Sequence, residues 1–282
     1  MNGSGSTSRR PLRATARFGG AVAAISLLGV VLSGASAHSA EVEPPPTGAG
    51  FDLQLGGAYE PPVGAAVVER DRTEPAPAGR YGVCYVNGFQ TQETETTWWR
   101  RKHPALLLRV RGREVRDPEW PETLLDIRTP DKRRAIAAIV GRWIDGCARK
   151  GFRAVELDNL DTWTRSRGTI RAAHTRATAR LFVARAHRAG LAVGQKNAAE
   201  LLPRKAPYRA PFGFDFAVVE QCQEYRECDR YTRVYGARTF EVEYDAKSFR
   251  AACAARAGRH PIILRDLALR TPERRGYVRE SC

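Results

Sequence analysis

The sequence lacks the short motifs that identify several large enzyme classes. It contains no GxSxG nucleophile elbow, no HExxH zinc motif, no P-loop and no GxGxxG at the start of a helix. Histidine is scarce, at five residues, and no CxxC pair or Cys/His cluster has the spacing of metal ligands. These absences argue against serine hydrolases, zinc proteases and nucleotide-binding enzymes, and we expect neither a metal nor an organic cofactor.

No apolar run in the sequence reaches the length of about 20 residues that a membrane-spanning helix needs. The one extended run, residues 21–32, follows four arginines and precedes Ala35-Ser36-Ala37, a small-x-small cleavage site. Residues 1–37 are therefore predicted to be a secretion signal peptide, so we expect a secreted protein without stable membrane insertion. Two alternatives stay open: the run could remain as an uncleaved anchor, and Ser8-Arg9-Arg10 hints at a twin-arginine route.

After the signal, residues 38–50 are rich in Pro, Gly and Ala and are predicted to form a disordered linker. No further linker divides residues 51–282, and roughly 230 residues suit one domain with a substantial core. We expect this domain to be monomeric.

Acidic residues are fewer than basic ones: the chain has 31 Asp and Glu and 46 Lys and Arg, which gives a net charge of +15. The first 40 residues hold four arginines and no acid, so the rest of the chain carries +11. The basic residues are scattered and not interleaved with aromatics, and we interpret them as a solvated surface attracted to an anionic envelope. No nucleic-acid partner is expected, since such a protein would need a basic stripe and would bind in a salt-dependent way.

The six cysteines, an even number after a secretory signal, indicate disulfides. Fifteen pairings are possible, so the sequence does not choose among them. Cys222 and Cys228 are close enough to close one loop, which makes their disulfide a specific hypothesis. A pairing of Cys282, the last residue, would hold the C-terminus in place.

Short apolar runs alternate with amphipathic helices along the chain, which predicts a parallel sheet. The clearest helix is 131–150, with apolar residues at helical spacing after a Thr129-Pro130 start; others are expected over 170–189 and 246–257. Eight strands in this length favour a single (β/α)8 TIM barrel, with an open Rossmann-type sheet as the alternative. The predicted strands lie near Leu53–Leu55, Ala66–Glu69, Gly82–Val86, Ala154–Leu157, Ala192–Gln195, Phe216–Glu220, Arg238–Val242 and Ile262–Leu264.

Two of these strands end in acids, at the side of a barrel where active sites lie. On the fourth strand, alternation places Glu156 and Asp158 on the face toward the barrel axis, where an acid needs a functional partner. On the sixth strand, Glu220 follows an apolar run, and desolvation there would favour the protonated form that a general acid needs. The alternatives are that Asp158 and Asp161 only cap the following turn and that Glu220 is an ordinary exposed strand end.

Most other strand ends are polar too, so the barrel mouth is predicted to carry a ring of polar side chains. The ring would contain Asn87, Lys196, Asn197, Glu243 and Arg265. A long insertion between residues 87 and 129 adds Trp98, Trp99 and Trp120, whose faces could stack on sugar rings or simply pack the insertion. Two carboxylates at neighbouring positions fit glycoside cleavage.

Several segments resemble glycoside hydrolase family 114, the endo-α-1,4-polygalactosaminidases, over residues 51–265. The fourth- and sixth-strand segments are the most specific of them. The segments are FDLQLGG from Phe51, YVNGFQTQ from Tyr85, LDIR from Leu125, GFRAVELDNLD from Gly151, GQKN from Gly194 and FDFAVVEQC from Phe214. One departure is Leu157, where the family pattern has Pro; it changes the rigidity of the backbone beside Asp158.

The resemblance implies a retaining barrel enzyme that cuts α-1,4-linked galactosamine-type polysaccharide, with Asp158 as nucleophile and Glu220 as acid/base. It also implies sugar contacts from Asp126, Arg128, Lys196 and Glu243. To these we add Asn87, Asn197 and Arg265 from the polar ring, Trp120 from the insertion and Asp161 from the end of the fourth-strand segment. The alternative from another class is a non-catalytic barrel that binds carbohydrate or the cell envelope.

Overall fold

The computed structural model of the protein describes residues 42–282. A curled sheet of short strands lies at the centre, and helices cover part of its outer face. The elements in chain order are β1 (Gly50–Gln54), β2 (Ala65–Asp71), β3 (Tyr81–Asn87), α1 (Thr96–Lys102), β4 (Arg109–Val110), β5 (Arg113–Glu114), α2 (Pro130–Arg149), β6 (Ala154–Asp158), α3 (Ala172–Arg188), β7 (Ala192–Lys196), β8 (Phe216–Glu220), α4 (Cys228–Tyr235), β9 (Thr239–Glu243), α5 (Ala246–Arg256), β10 (Ile262–Arg265) and β11 (Arg279–Ser281).

The main sheet has the order β1-β2-β3-β6-β7-β8-β9-β10-β11, so neighbours in the chain are neighbours in the sheet. All ladders are parallel except that between β10 and β11. The sheet curls until strands far apart in this order meet, since the rings of Phe51 on β1 and Phe240 on β9 lie 5.0 Å apart. The eight predicted parallel strands are therefore present, and their enclosed face forms an apolar cluster of its own.

Side chains connect the two ends of the curl, because no ladder joins β1 to β10 within residues 42–282. Arg265 of β10 donates a hydrogen bond to the Leu53 carbonyl of β1, and Arg279 of β11 donates to the Phe51 carbonyl at 3.2 Å. What the structure establishes is a curled, barrel-like sheet whose backbone ladder stays open at this seam.

Helices follow only part of the sheet, which corrects the expectation of a regular strand–helix repeat. α2, α3, α4 and α5 lie in the connections after β3, β6, β8 and β9, whereas the β1–β2, β2–β3 and β7–β8 connections contain no α-helix. The first two connections are rich in Pro and Gly, which interrupt helices. Polar contacts occupy this region instead: Arg70 donates to Gln54 at 2.8 Å and to the Tyr59 carbonyl at 2.7 Å.

The helix α2 confirms the clearest helix prediction to within one residue at each end. Thr129 caps it by accepting from the Lys132 N–H, and Pro130 occupies its first turn. Its buried stripe, which includes Ile136, Val140 and Ile144, packs in the cluster between the sheet and the helices.

Residues 42–50, part of the predicted disordered linker, lie against the domain. Tyr81 donates a hydrogen bond to the Glu43 carbonyl at 2.5 Å, Gly48 donates to Ala237 at 3.3 Å, and Pro45 is buried. Composition alone missed these contacts because backbone groups make them. The predicted signal peptide, residues 1–37, lies outside the described residues, and none of the described helices is long and apolar enough to span a membrane.

Three disulfides pair all six cysteines, and they include the predicted Cys222–Cys228 bond. Cys84–Cys147 joins β3 to α2. Cys253–Cys282 fastens the last residue to α5.

Candidate active site

Alternation along the strands brings a set of polar side chains together at the carboxyl ends of the sheet. In β6, Ala154 belongs to the enclosed cluster, so Glu156 and Asp158 share its face, as the sequence predicted. Lys196 follows on β7 and Glu220 on β8, and the ladder order β6-β7-β8 places the lysine between the two acids.

Lys196 is the centre of the site. Its ammonium lies 3.3 Å from Glu156 Oε1, 4.0 Å from Asp158 Oδ2 and 3.5 Å from Glu220 Oε1. Burial opposes the charged form of Lys196, but the surrounding carboxylates outweigh this and raise its pKa well above the ordinary value. A buried cation thus connects the two acids that the sequence singled out.

Asp158 is held by two donors. The Tyr85 hydroxyl donates to Oδ2 at 2.8 Å, and the Asn159 N–H donates to Oδ1 at 2.6 Å. Burial, followed by the charge of Asp158, raises the pKa of Tyr85 well above its usual value, so this phenol remains a donor. One fifth of the Asp158 side chain stays exposed, which leaves it open to a substrate.

Glu220 is fixed from two strands. The Tyr244 hydroxyl donates to Oε1 at 2.5 Å, and the Asn197 amide donates to Oε2 at 3.0 Å while its oxygen accepts from the Glu220 N–H at 2.8 Å. Asn197 has φ +45°, a left-handed conformation that Asn adopts more readily than most residues. Glu220 is therefore partly exposed and surrounded by polar groups, rather than desolvated as the apolar strand suggested.

Glu122 is a third acid beside Asp158, and the sequence reasoning missed it. It lies in the β3–α2 insertion, where Asn87 donates to its Oε2 at 2.9 Å and Asn159 at 3.3 Å. Burial and the neighbouring charge of Asp158 raise the pKa of Glu122 to about 7. The predicted Asn87 therefore contacts the site through Glu122, and Trp120, two residues earlier, is half exposed.

Asp161 lies on the turn after β6, next to this group. Arg165 donates to both of its carboxylate oxygens at 2.9 Å and also pairs with Asp117 at 2.5 Å. Burial raises the pKa of Asp161 despite the arginine. Its charge is therefore largely satisfied within the protein.

Asp126 and Arg128 form a clamp ahead of α2. Arg128 binds both Asp126 oxygens at 2.8 Å, and Lys132 reaches one of them at 2.5 Å. Burial opposes ionisation, but these hydrogen bonds lower the pKa of Asp126 to about 2. Asp126 is fully buried beneath its partners, so only Arg128 of the two is open to solvent.

Two predicted binding residues have other roles in the structure. Glu243 points away from the enclosed face, is fully buried, and accepts a hydrogen bond from the Gln223 N–H at 2.9 Å. Its neighbour Tyr244 contacts the site instead, because Phe240 and Val242 set the opposite phase of β9. Arg265 is also fully buried, and backbone carbonyls at the seam occupy its guanidinium.

Of the aromatic residues in the insertion, some pack its interior and others are exposed to solvent. Trp99 is fully buried, with its ring 5.8 Å from that of Trp143, so it packs the insertion. Tyr225, on the loop after Glu220, is largely exposed and was not predicted.

One group of possible metal donors occurs behind β9, formed by Cys222, Cys228, Glu241 and Glu243. Both sulfur atoms belong to a disulfide and offer no thiolate. Glu241 is already paired with His260 at 2.8 Å and Arg256 at 2.7 Å. This arrangement does not fit a metal.

Comparisons with known proteins identify the family and the fold of the chain. The sequence model of glycoside hydrolase family GH114 matches residues 32–282. Ega3 of Aspergillus fumigatus, solved in complex with galactosamine, superposes with a TM-score of 0.69 at 21% identity, over 86% of this chain and 98% of that one. The glycoside hydrolase domain of PelA from Pseudomonas aeruginosa gives 0.56 at 15% identity, over 81% and 97%.

At such identities the structural matches show the fold alone, and no curated protein matches the sequence. The family match covers most of the chain, including every strand of the sheet and the acids at their ends. The chain belongs to glycoside hydrolase family GH114 and is a glycoside hydrolase.

Proposed function

We propose that this protein is a secreted, retaining endo-glycosidase that cleaves α-1,4-linked galactosamine-type polysaccharide, with Asp158 as nucleophile and Glu220 as acid/base. The observation that carries the proposal is the placement of these two partly exposed carboxyl groups on either side of the Lys196 ammonium. Two acids that flank a glycosidic bond are the usual requirement for its hydrolysis.

In the first step, an Asp158 oxygen attacks the anomeric carbon while Glu220 donates a proton to the glycosidic oxygen. The bond to the leaving sugar breaks, and a covalent glycosyl–enzyme ester forms. Tyr85 and the Asn159 N–H hold the attacking carboxylate in one orientation. Such preorientation removes part of the entropic cost of the reaction.

In the second step, Glu220 accepts a proton from water, and the water oxygen displaces Asp158 from the anomeric carbon. Tyr244 and Asn197 keep the Glu220 carboxyl in place through this change of protonation. Lys196 stabilises whichever of the two acids is ionised at each stage, because its charge lies within 4.0 Å of both.

Retention of configuration is proposed from the family resemblance, because the distances around Lys196 fit both stereochemical outcomes. Lys196 Nζ lies 4.0 Å from Asp158 Oδ2 and 3.5 Å from Glu220 Oε1, so those oxygens are at most about 7.5 Å apart. Retaining enzymes hold their carboxyl groups about 5–5.5 Å apart, and inverting enzymes about 6.5–9.5 Å.

The sugar assignment rests on charge as well as on the family. Asp158 and the neighbouring Glu122 would attract the ammonium group of a deacetylated amino sugar. Screening over about 8–10 Å weakens the repulsion from the distant basic surface. Ega3, whose structure contains galactosamine, makes galactosamine the first sugar to test.

The proposal also covers the closure of the barrel, the secretion of the protein and its oligomeric state. We take the sheet to act as a (β/α)8-type barrel whose seam is bridged by Arg265 and Arg279. Residues 1–37 would direct secretion and be removed, leaving a monomer, and the three disulfides suit an extracellular compartment.

The experiment that tests this proposal follows the configuration of the first product by NMR, with partially deacetylated α-1,4-galactosaminogalactan as substrate. We expect α-configured oligosaccharides of several lengths. A β-configured first product would contradict retention, and single sugars alone would contradict endo cleavage.

A further inference from the structure

Two buried acids below the site have no role in the reaction described above. Glu69 of β2 and Glu156 of β6 are both fully buried, and burial together with the charge of Glu69 raises the pKa of Glu156 well above its usual value. Both Glu69 oxygens and Glu156 Oε2 have no hydrogen-bond partner in the described part of the chain. A single proton held between the two acids would satisfy such oxygens, because a protonated carboxyl group donates and an ionised one accepts.

The charges around the pair lead to the same conclusion. Lys196 from β7 lies within 4.0 Å of Glu156, Asp158 and Glu220. Tyr85 from β3 donates to Asp158 and Tyr244 from β9 to Glu220, while Arg265 is engaged at the seam. Lys196 would be the one free cation in this set for four carboxylates. Since unpaired buried charges are costly, a proton on the pair is the least expensive arrangement.

A shared proton also determines where Lys196 is held. If Glu156 were ionised, it would compete for the ammonium, which already lies 3.3 Å away, and draw it from the reacting acids. A protonated Glu156 can donate to Glu69 and still accept a hydrogen bond from Lys196 through Oε1. Building on the proposed function, we propose that Glu69 and Glu156 share a proton and act together as a positioning unit that holds Lys196 between Asp158 and Glu220.

Amide substitution tests this directly, because glutamine copies the shape and the donor of a protonated glutamate. We expect Glu156→Gln to keep kcat within about threefold of the wild type. Glu156→Ala, which lets Lys196 shift, should lower kcat by about 100-fold, with a smaller change in KM. Glu227→Gln serves as a control, since this half-buried acid contacts Tyr231 outside the site.

A loss of kcat in Glu156→Gln as large as in Glu156→Ala would overturn the proposal, because it would mean that the lysine needs an ionised Glu156. A Glu156→Gln protein that melts far below the wild type would also contradict it, since the amide satisfies the same hydrogen bonds.

Infrared difference spectra separate this proposal from the proposed function. At pH 8, the wild type minus Glu156→Gln should show the C=O band of a protonated carboxylic acid, whether or not the enzyme cleaves the polymer. A carboxylate band in its place would show that Glu156 is ionised and would refute the shared proton. An inactive wild type that shows the protonated band would refute the proposed substrate and keep the pair.

Discussion

The clamp at Asp126 gives a quantitative prediction that separates a structural role from a sugar-binding one. Asp126→Asn removes the charge that binds Arg128 and Lys132. The pKa of Asp126 is lowered from 3.8 to about 2 in the folded protein. A lowering of this size corresponds to about 2 kcal/mol of folding free energy.

The sign of this effect fixes its pH range. Because the folded-state pKa is depressed, the stabilisation is fully present above pH 4 and is lost as the pH falls toward 2. The variant should thus be about 2 kcal/mol less stable than the wild type at pH 7, and about half as much at pH 3. Asp126 is 1% exposed, so solvent weakens this ion pair less than it would a surface pair.

Urea unfolding at pH 7 and pH 3 measures both values, with the disulfides kept oxidised. Asp131→Asn is a matched control, because Asp131 also pairs with an arginine of α2 but is 88% exposed; it should cost less than about 1 kcal/mol. Equal stability of Asp126→Asn and the wild type at pH 7, or a difference that does not shrink at pH 3, would refute this reasoning.

Three further predictions concern the site. Tyr244→Phe removes a hydrogen bond to Glu220, worth about 0.5–1.5 kcal/mol, and should lower kcat about 2- to 10-fold without loss of folding; an unchanged kcat would show that the phenol does not orient Glu220. Glu122→Gln should raise the melting temperature more at pH 8 than at pH 5, because the wild-type acid, with its pKa near 7, is forced to ionise at the higher pH; an equal gain at both would argue against the shift. Trp120→Ala should raise KM for long polymer about tenfold, the value of one lost stacking contact, and an unchanged KM would remove this tryptophan from the binding surface.

Hydrophobic periodicity predicted much of the fold, and the prediction failed where the periodicity is weak. The helix α2 was placed to within a residue because a buried stripe, a cap and a proline agree on its position. The (β/α)8 prediction implied helices after β1 and β2, although the sequence shows a helical pattern only between the later strands, and the proline content of these two connections disfavours helices. Disulfide pairing could not be chosen from sequence, apart from the short loop between Cys222 and Cys228.

In the site, too, the residues on regular strands could be predicted from the sequence and a residue in an irregular segment could not. Asp158, Lys196 and Glu220 come together because alternation fixes the facing side of each strand. Glu243 was assigned to the site although Phe240 and Val242 already placed it on the opposite face of β9; the phase pointed to Tyr244. Glu122 gave no such signal, because it lies in an insertion without periodic structure, and only the tertiary fold brings it near Asp158.

The central claim is that Asp158 and Glu220 perform the cleavage, and oligosaccharide release from partially deacetylated α-1,4-galactosaminogalactan tests it most directly. The wild type should release short oligosaccharides, while Asp158→Asn and Glu220→Gln should each lose at least about 1,000-fold in rate and remain folded. Wild-type rates in either variant would contradict the account, since neither acid could then be the nucleophile or the proton donor.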